Sequence, residues 1–461
     1  MLLSFIAPVL FAAVHSGLEA ETPRLRPAYA GETLVLREAA GHWSLLGYGH
    51  VLTLEDGGPR VRSFTRSLGW EVGLLDADEI LLGPEQSNGR RLFATGPLET
   101  PFTLERVAEP PARCLAPTEW TRERVFQAFE ETLSDYYPFF EVRGFDWNAR
   151  AAAARARVAG VTTDAELAEL IAGTLEGLGD GHVSFVAEVE GEEIELEPGD
   201  SRLERRIRSE LDPGLSEAQR EVAFERTFEG VFAATRRWIR EGLLGGRGVW
   251  SEPFLWGRVD EDIGYVQITD MVLESGSLEE MVEVVHRHLE EVLEQLEGVQ
   301  VMVLDVSLNG GGADAVSHAI AAHFADEPRH AYSKGPAARP DVRRDIVIEP
   351  WPGRRFTGPV FVVSSEWTAS AAEIFQLCCR VFPHVELVGT PGEAIFSDIV
   401  PRPLPNGWEL TISAETYTTP EGVCYEGLGV PVDIELPIFD GEDLTTSHRD
   451  ALLALFDLIR P

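Results

Sequence analysis

The segment GPVFVVSSEWTASAAEIFQLCCR, residues 358–380, carries the clearest structural signal in this chain. A Gly-Pro pair opens a short β-branched and aromatic run over residues 360–363, which predicts a buried strand. After a brief turn, the residues from Ala371 to Arg380 predict a helix. Ser370 therefore lies where a strand passes into a helix, beside unpaired backbone N–H groups and the positive end of the helix dipole. Because such a place suits a developing oxyanion, Ser370 is a candidate nucleophile.

The same serine also fits a purely structural role. Serine is a preferred residue at the start of a helix, and Ser370 followed three residues later by Glu373 has the pattern of a capping box. This segment alone leaves both interpretations open. Features elsewhere in the chain have to distinguish a catalytic serine from a capping one.

Composition limits the partners of the protein. The chain has 461 residues, enough for two or three domains, and a hydrophobic content of 44% that can fill real cores. Its formal net charge is −38, from 77 acidic and 39 basic residues. Such a surface repels phosphate backbones and anionic lipid, so binding of nucleic acid or of a membrane surface is not expected.

Two residue types are used sparingly. Lys334 is the only lysine, and the other residues among the 39 lysines and arginines are all arginine. The four cysteines show no CxxC or Cys/His spacing, so neither a zinc site nor another metal site is expected. The adjacent pair Cys378 and Cys379 lies on the predicted helix behind Ser370 and suits a small-residue core position.

The N-terminus has the pattern of a signal peptide. An apolar run covers residues 2–13, and Leu18-Glu19-Ala20 could end at a cleavage site, so residues 1–20 are predicted to be removed. A buried or membrane-leaning N-terminus is the alternative, because the usual positive residues are missing. No later run reaches the roughly 18 apolar residues of a membrane helix. We therefore expect a secreted or periplasmic protein whose mature chain does not insert into a membrane.

The remaining sequence divides into three units. Residues 21–113 alternate apolar and polar positions between turn signals, which predicts a small antiparallel β domain with Trp43, Tyr48 and Trp70 in its core. Residues 118–260 predict a helical segment and a charged insert, and a tight turn, Gly179 to His182, interrupts this unit. Residues 261–461 alternate strand and helix, which predicts an α/β core around a largely parallel sheet, with the site on loops after the strands.

Four blocks of the sequence stand out: DVSLNGGG (305–312), TASAAEI (368–374), LPNG (404–407) and PEGVCYEGLGVPVDI (420–434). In order and spacing they resemble the tail-specific or C-terminal processing serine peptidases. That family includes the tricorn core protease and the interphotoreceptor retinoid-binding proteins. The resemblance covers about residues 178–436 and implies a crotonase-like α/β peptidase core.

The resemblance also implies the catalytic residues. Bacterial tail-specific members use a lysine base about 25 residues after the serine, where this chain has Ile395, and Lys334 precedes the serine. The tricorn-like branch uses a histidine on a turn and a late glutamate, which match His182 and Glu426. The chemistry agrees, because a serine hydroxyl needs a base such as imidazole, and the imidazole needs a carboxylate or similar acceptor. We expect Glu426 to contact His182 directly, through water or through a hydroxyl such as that of Ser184.

The expected oxyanion donors are the backbone N–H groups of Ala371 and Gly311. The glycine run can also be read as a plain strand-to-helix turn or as a phosphate cradle, although no Lys-Ser/Thr pair follows it as in a P-loop. His182 could instead be a turn histidine satisfied by backbone, and Glu426 an exposed hairpin carboxylate. Two positions depart from the family pattern: Gly181 replaces a serine, and Ser307 replaces an arginine.

The sequence thus predicts a serine peptidase that needs no cofactor and acts on a peptide or protein substrate. Two other functions stay open. One is a catalytically degenerate protein that binds a lipophilic ligand or peptide on the same scaffold. The other is a crotonase-like acyl-CoA enzyme, which so acidic a chain fits poorly. The oligomeric state is not predicted.

Overall fold

The computed structural model of the chain describes residues 25–30, 34–72, 80–95, 98, 100–116, 119–196, 201–273, 276–440 and 443–460. The predicted signal peptide, residues 1–20, lies outside these ranges. No helix within them is long and apolar enough to cross a membrane. In chain order they contain an antiparallel sheet, a helical segment with an insert, and an α/β core.

The first part of the chain is almost entirely β-structure. Eight of its strands form one antiparallel sheet in the order β1-β8-β9-β10-β4-β5-β6-β7, and β2 pairs with β3. Trp43, Tyr48 and Trp70 are buried, as their pattern predicts. The strands are β1 (Arg26–Pro27), β2 (Tyr29–Ala30), β3 (Leu34–Val35), β4 (Gly41–Leu45), β5 (His50–Glu55), β6 (Gly58–Phe64), β7 (Gly69–Val72), β8 (Leu81–Leu82), β9 (Arg90–Ala94) and β10 (Phe102–Val107).

Four helices follow: α1 (Ala112–Leu115), α2 (Arg122–Tyr136), α3 (Trp147–Val158) and α4 (Asp164–Leu175). Helix α4 begins with a capping box in which Thr163 and Glu166 bond each other's backbone. Its stripe of leucine and isoleucine is buried against α2 and α3, in agreement with the helical spacing. The helix therefore brings the tight turn that carries His182 close to the rest of the core.

The insert differs from its predicted structure. The sequence predicts a helical segment and a charged insert over residues 118–260, but strands β11 (Phe185–Val189) and β12 (Glu192–Leu196) form a hairpin there. Its turn consists of Glu190 and Gly191, both at positive φ, which suits a two-residue hairpin. The many glutamates of this segment obscure the alternation of apolar and polar residues that is typical of a strand. Beyond it lie α5 (Arg202–Glu210), α6 (Glu217–Arg237), a π-helical turn (Trp238–Leu243), β13 (Val249–Ser251) and β14 (Phe254–Arg258).

The α/β core contains the predicted alternation and two further small sheets. Its strands are β15 (Ile263–Ile268), β16 (Val301–Asp305), β17 (Arg329–Pro336), β18 (Arg344–Ile348), β19 (Val360–Ser364), β20 (Val385–Gly389), β21 (Ile399–Pro401), β22 (Glu409–Ser413), β23 (Glu415–Thr418) and β24 (Ile434–Glu435). Its helices are α7 (Leu278–Gln295), α8 (Asp314–Ala322), α9 (Ala371–Cys379) and α10 (Leu444–Ile459), with a 3₁₀ turn at Pro340–Val342.

A seven-stranded sheet, ordered β13-β14-β15-β16-β19-β20-β24, is the centre of this core. Its strands from β15 to β24 are parallel, as predicted. Side chains of β16 alternate between two clusters: Met302 and Leu304 pack with α7, α8 and α9, whereas Val301 and Val303 pack with α6 and α10. Because helices cover both faces, the central strands β15 and β16 are buried at every residue.

The smaller sheets bring distant parts of the chain to the carboxyl ends of β16 and β19. One sheet, β12-β11-β22-β21, joins the hairpin after His182 to the late part of the chain. The other, β18-β17-β23, joins the strand that carries Lys334 to the same region. The glycine run follows β16 and Ser370 follows β19, so all these segments meet at one edge of the parallel sheet.

Candidate active site

Ser370 has an unusual backbone conformation at the start of α9. Its φ is 54° and its ψ is −126°, and its side chain makes no capping hydrogen bond. The carboxylate of Glu373 instead accepts hydrogen bonds from the backbone N–H groups of Ala394, at 3.1 Å, and Ile395, at 2.9 Å. The capping-box interpretation of Ser370 is therefore wrong. A serine held at positive φ costs about 1–3 kcal/mol, a strain that is common at catalytic sites.

The glycine run packs directly against this serine. Gly311 has a φ of +111°, and a Cβ atom on it would lie 2.6 Å from Ser370 Cβ and 2.9 Å from the carbonyl oxygen of Ala369. The backbone N–H of Ala369 donates to the carbonyl oxygen of Asn309, at 3.2 Å. Only glycine fits at position 311, since any side chain would displace the serine.

The two residues expected to supply the oxyanion donors, Gly311 and Ala371, pack close together. The nitrogen of Ala371 is 3.2 Å from the point that a Gly311 Cβ would occupy. Ala371 is the first residue of α9, so its N–H has no acceptor within the helix. The N–H of Gly311 donates to Asn309 Oδ1, at 2.9 Å. The Gly311 donor is therefore engaged within its own loop and has to share or exchange that bond to reach a substrate.

His182 is held in one tautomer. Its Nδ1 bonds the carbonyl oxygen of Ser397, and because a carbonyl oxygen only accepts, Nδ1 must carry the hydrogen. Nε2 is then the basic nitrogen. Burial lowers the pKa of His182 below its ordinary value, although the charge of Asp180 opposes this, so the ring is neutral at pH 7.

His182 and Ser370 line the same cavity. Within the part of the chain that the structure describes, no hydrogen bond joins the ring to Ser370 Oγ. Catalytic hydrogen bonds often form or shorten only when substrate binds, so a place on one cavity is compatible with a base and a nucleophile.

Glu426 reaches His182 through the backbone. Its Oε2 accepts hydrogen bonds from the N–H groups of Phe396, at 2.9 Å, and Ser397, at 3.0 Å. Ser397 in turn offers its carbonyl oxygen to His182. The expected direct contact is absent among the described residues, and Ser184 does not bridge the two, since its Oγ lies 2.8 Å from Thr411 Oγ1. Glu426 is buried rather than an exposed hairpin carboxylate.

Arg143 and Asp180 complete this arrangement and were not singled out from the sequence. Arg143 Nη2 donates to Glu426 Oε1, at 2.6 Å, and its Nε lies 3.3 Å from Asp180 Oδ2. Asp180 Oδ1 accepts the backbone N–H of His182, at 3.0 Å. Burial and the charge of Asp180 raise the pKa of Glu426 to about 7, against the opposing charge of Arg143. No motif in the sequence links Arg143 to this site, because 283 positions separate it from Glu426.

The two departures from the family pattern have local consequences. A Cβ atom on Gly181 would lie 2.7 Å from Ile395 Cδ1, so a serine there requires Ile395 to move. The backbone N–H of Ser307 donates to Asp305 Oδ1, at 2.9 Å, and its carbonyl oxygen accepts from Ser365 Oγ, at 2.6 Å. The carboxylate of Asp305 and the hydroxyl of Ser365 thus hold the backbone of the loop after β16 in the absence of the usual arginine.

Comparison with known proteins identifies the core. Residues 262–436 match the model of peptidase family S41. These residues form a domain of peptidase family S41. The resemblance to the tail-specific serine peptidases is thereby confirmed, and with it the assignment of the chain as a serine-type peptidase with an α/β fold. No curated protein of similar sequence was found.

Solved structures share the fold of the S41 domain and of its surroundings. A candidate peptidase from Parabacteroides merdae has 19% sequence identity and a TM-score of 0.57, and the match covers 74% of this chain and 98% of that one. Mature CPAF has 13% identity and a TM-score of 0.50, with 73% of this chain and 96% of that one covered. At these identities the likeness shows a common fold only.

A buried charge cluster lies in the same cavity of the S41 domain. Lys334 Nζ is 2.6 Å from Asp398 Oδ2, 3.4 Å from Asp314 Oδ2 and 3.7 Å from Glu415 Oε2. Burial alone would lower the pKa of Lys334, but the three carboxylates outweigh it and raise that pKa above its ordinary value. A permanently charged lysine cannot accept a proton, so Lys334 is unsuited to act as the base. Asp314 follows the glycine run and Asp398 follows Ser397, so the cluster ties together the two loops on either side of Ser370.

Replacing Lys334 with methionine is expected to destabilise the protein by about 3–5 kcal/mol, because buried carboxylates lose their cation. Burial already raises the pKa of Asp314 to about 6 and of Glu415 to about 7. Without the lysine, the native state holds these protons more tightly than the unfolded chain. The loss of stability should therefore grow as pH rises from about 5 to 8. Urea unfolding of the wild type and the variant at pH 5 and at pH 8 measures this loss of stability.

Arg60→Met is the matched control for this prediction. Arg60 pairs with Glu55 on the surface, where 49% of the arginine side chain is exposed. An exposed pair contributes roughly 0–1 kcal/mol. The role of Lys334 in neutralising the cluster would be contradicted if Lys334→Met lost as little unfolding free energy as Arg60→Met. A loss that becomes smaller as pH rises would contradict it too.

Proposed function

We propose that this S41 peptidase hydrolyses peptide bonds through an acyl-enzyme on Ser370, with His182 as general base. The strained backbone of Ser370 carries the proposal. A capping serine has no reason to adopt a φ of 54°, whereas a nucleophile must present its hydroxyl free of local bonds. The neutral Nε2 of His182 in the same cavity supplies the base that the hydroxyl needs.

The proposed reaction follows from these positions. His182 Nε2 takes the proton of Ser370 Oγ as the oxygen attacks the carbonyl carbon of the substrate. The resulting oxyanion accepts hydrogen bonds from the N–H groups of Ala371 and Gly311, the latter exchanging its bond with Asn309. The imidazolium then gives its proton to the leaving amine and the C–N bond breaks. Water reverses these steps to release the acid, with His182 again as base.

Glu426 serves in this proposal as a positioning residue of the kind used by the tricorn-like branch. Its carboxylate fixes the backbone N–H groups of residues 396 and 397. The carbonyl oxygen of Ser397 can then hold the Nδ1–H of His182 and stabilise the imidazolium. Arg143 and Asp180 restrain the carboxylate and the histidine backbone. The peptide group thus takes the place of the hydroxyl expected at position 181 or 184.

Glu426→Gln is expected to lower kcat by about 10- to 100-fold with little change in KM, as for other residues that orient a catalytic group. The ionised carboxylate holds the two N–H groups and Arg143, so wild-type kcat should rise with pH around 7, the pKa of Glu426. The glutamine variant should lose this step, because it cannot titrate. Steady-state rates from pH 5.5 to 8.5 show whether it does.

Glu421→Gln is the control for that experiment, since Glu421 lies on the surface of the same segment. It should keep both the rate and the pH profile of the wild type. If Glu426→Gln retains the step near pH 7 and a normal kcat, Glu426 does not position the base.

We further propose that residues 1–20 are a signal peptide and that the mature protein works in the periplasm or outside the cell. The apolar run over residues 2–13 and the small residue at Ala20 support this. The substrate would then be a peptide or protein of that compartment. Comparison of the N-terminus of the purified protein with the gene product tests it.

A degradation assay tests the proposed activity as a whole. We expect the purified protein to release fluorescent peptides from labelled, denatured casein, and to stop after treatment with a serine-reactive phosphonate. A metal chelator should have no effect, since no step needs a metal. If the protein binds peptides yet releases nothing and forms no phosphonate adduct, the binding-protein alternative is preferred.

A further inference from the structure

A cavity of about 720 Å³ connects Ser370 and His182 to the N-terminal sheet. Pockets of roughly 300–1,000 Å³ can enclose most of a drug-sized ligand, so this one has room for several side chains. Its floor is formed by the loops of the S41 domain, including Gly312 and Asp314. Another part of its wall belongs to the N-terminal sheet, which lies outside the S41 match.

The register of the N-terminal sheet explains why this wall is apolar. Residues that face each other across antiparallel strands point to the same side of the sheet. Three such pairs have both members in the cavity wall. They are Leu45 with Leu104, Phe93 with Phe102, and Leu52 with Val61.

This wall is fixed to the catalytic core rather than loosely tethered. Trp70 Nε1 donates to the carbonyl oxygen of Pro403, at 2.9 Å, and Tyr136 in α2 donates through its hydroxyl to the carbonyl oxygen of Phe64, also at 2.9 Å. Tyr48 hydrogen-bonds Glu415, a member of the charge cluster. The sheet therefore faces the catalytic loops in a defined orientation.

The polar end of the cavity is acidic. Asp314, Asp398 and Glu415 line it against one cation, Lys334. Asp398 exposes 47% of its side chain although it bonds the lysine, and among the described residues nothing donates a hydrogen bond to the buried Glu415 Oε2. An acidic side chain entering this end would meet carboxylates of like charge. The overall charge of −38 repels acidic segments before they arrive.

We propose that the N-terminal sheet selects the substrate, and that its apolar face receives bulky uncharged side chains next to the scissile bond while the acidic end excludes carboxylates. The inference rests on the proposed function, because it places the cleaved bond at Ser370. The occupant is a peptide segment rich in aromatic and large aliphatic residues. Its apolar side chains are buried against the paired residues of the sheet, with the peptide backbone on the catalytic loops.

Three quenched fluorogenic peptides test this proposal. They share one sequence except for two adjacent central residues, which are Phe-Leu, Asn-Ser or Glu-Glu. We expect kcat/KM for the Phe-Leu peptide to exceed that for Asn-Ser at least tenfold, and the Glu-Glu peptide to be cleaved slowest. Val61→Trp, which fills part of the apolar wall, should lower the ratio of Phe-Leu to Asn-Ser cleavage about tenfold. A ratio is used because it is independent of the fraction of folded enzyme.

Val222→Trp is the control, because Val222 lies on α6 with 65% of its surface exposed. It should leave the ratio unchanged. Equal cleavage of the three peptides, or a ratio that Val61→Trp does not alter, would overturn the proposal while leaving the peptidase activity standing. Peptide binding to the Ser370→Ala variant distinguishes a failure of this proposal from a failure of the proposed peptidase activity. If that variant binds the Phe-Leu peptide at least tenfold more tightly than Ser370→Ala/Val61→Trp does, the apolar site stands even where no peptide is cleaved, and equal affinities reject it.

Discussion

Ser370→Ala is expected to lower kcat for peptide hydrolysis by about 10⁶-fold, the loss found when the nucleophile of a serine protease is removed. Its effect on stability should be small. Ser370 Oγ makes no capping bond, and alanine and serine both resist the positive φ of this position to a similar extent. Rates under saturating substrate and a thermal melt of the same preparation measure the two effects.

Ser277→Ala is the matched control, and it is expected to lower stability rather than activity. Ser277 is a true capping serine: its Oγ accepts the N–H of Glu280, at 3.3 Å, at the start of α7. Its loss should cost roughly 0.5–2 kcal/mol of stability and leave kcat unchanged. A Ser370→Ala protein that keeps its activity per folded molecule but melts like Ser277→Ala would show that Ser370 is structural.

His182→Ala is expected to lower kcat by a similar factor of about 10⁶, because the serine and its base act as a unit. The wild-type rate should also fall in acid. Only the neutral ring can take the proton of Ser370, and burial lowers the pKa of His182, so this fall lies below the ordinary value of about 6.5. It is separate from the step that Glu426 contributes near 7.

The control for this histidine is His330→Ala. His330 is partly exposed and contacts Ser333 at 3.1 Å, on strand β17. It should keep the wild-type rate and the fall in acid. Peptide hydrolysis by His182→Ala at more than about a hundredth of the wild-type rate would mean that another group takes the proton.

The strand and helix around Ser370 could be predicted from the β-branched and aromatic run over residues 360–363 and the helical residues that follow the turn, but the conformation of the serine could not. The pattern Ser-x-x-Glu occurs at residues 277–280 and again at 370–373. At the first it forms a capping box, whereas at the second the glutamate turns inward to hold Ala394 and Ile395. Only the tertiary contacts of Glu373 separate the two cases.

The three residues proposed for catalysis show the same limit. The resemblance and the chemistry led to Ser370, His182 and Glu426; the first two line one cavity, and Glu426 bonds the loop that holds His182. It could not be foreseen that a backbone carbonyl, that of Ser397, lies between the histidine and the glutamate, because a main-chain acceptor leaves no mark in the sequence. Arg143 was missed for a related reason, since arginine is the common cation of this chain.

The single lysine of the sequence, Lys334, predicted only part of what the structure shows. Its uniqueness excluded a lysine base at the expected position, yet it did not show that the residue is buried at the centre of three carboxylates. Those partners come from α8, from the loop before β21 and from β23, which the sequence separates by up to 101 positions. Long-range pairing of this kind depends on the sheets that bring these segments together.

The central claim is that Ser370 is the nucleophile and His182 its base, and labelling followed by peptide mapping tests it most directly. The protein is treated with a serine-reactive phosphonate, digested, and the modified residue located by mass spectrometry. The account predicts a single adduct on Ser370, absent from Ser370→Ala and formed far more slowly by His182→Ala. An adduct on another serine, or labelling of Ser370 at an unchanged rate without His182, would contradict it.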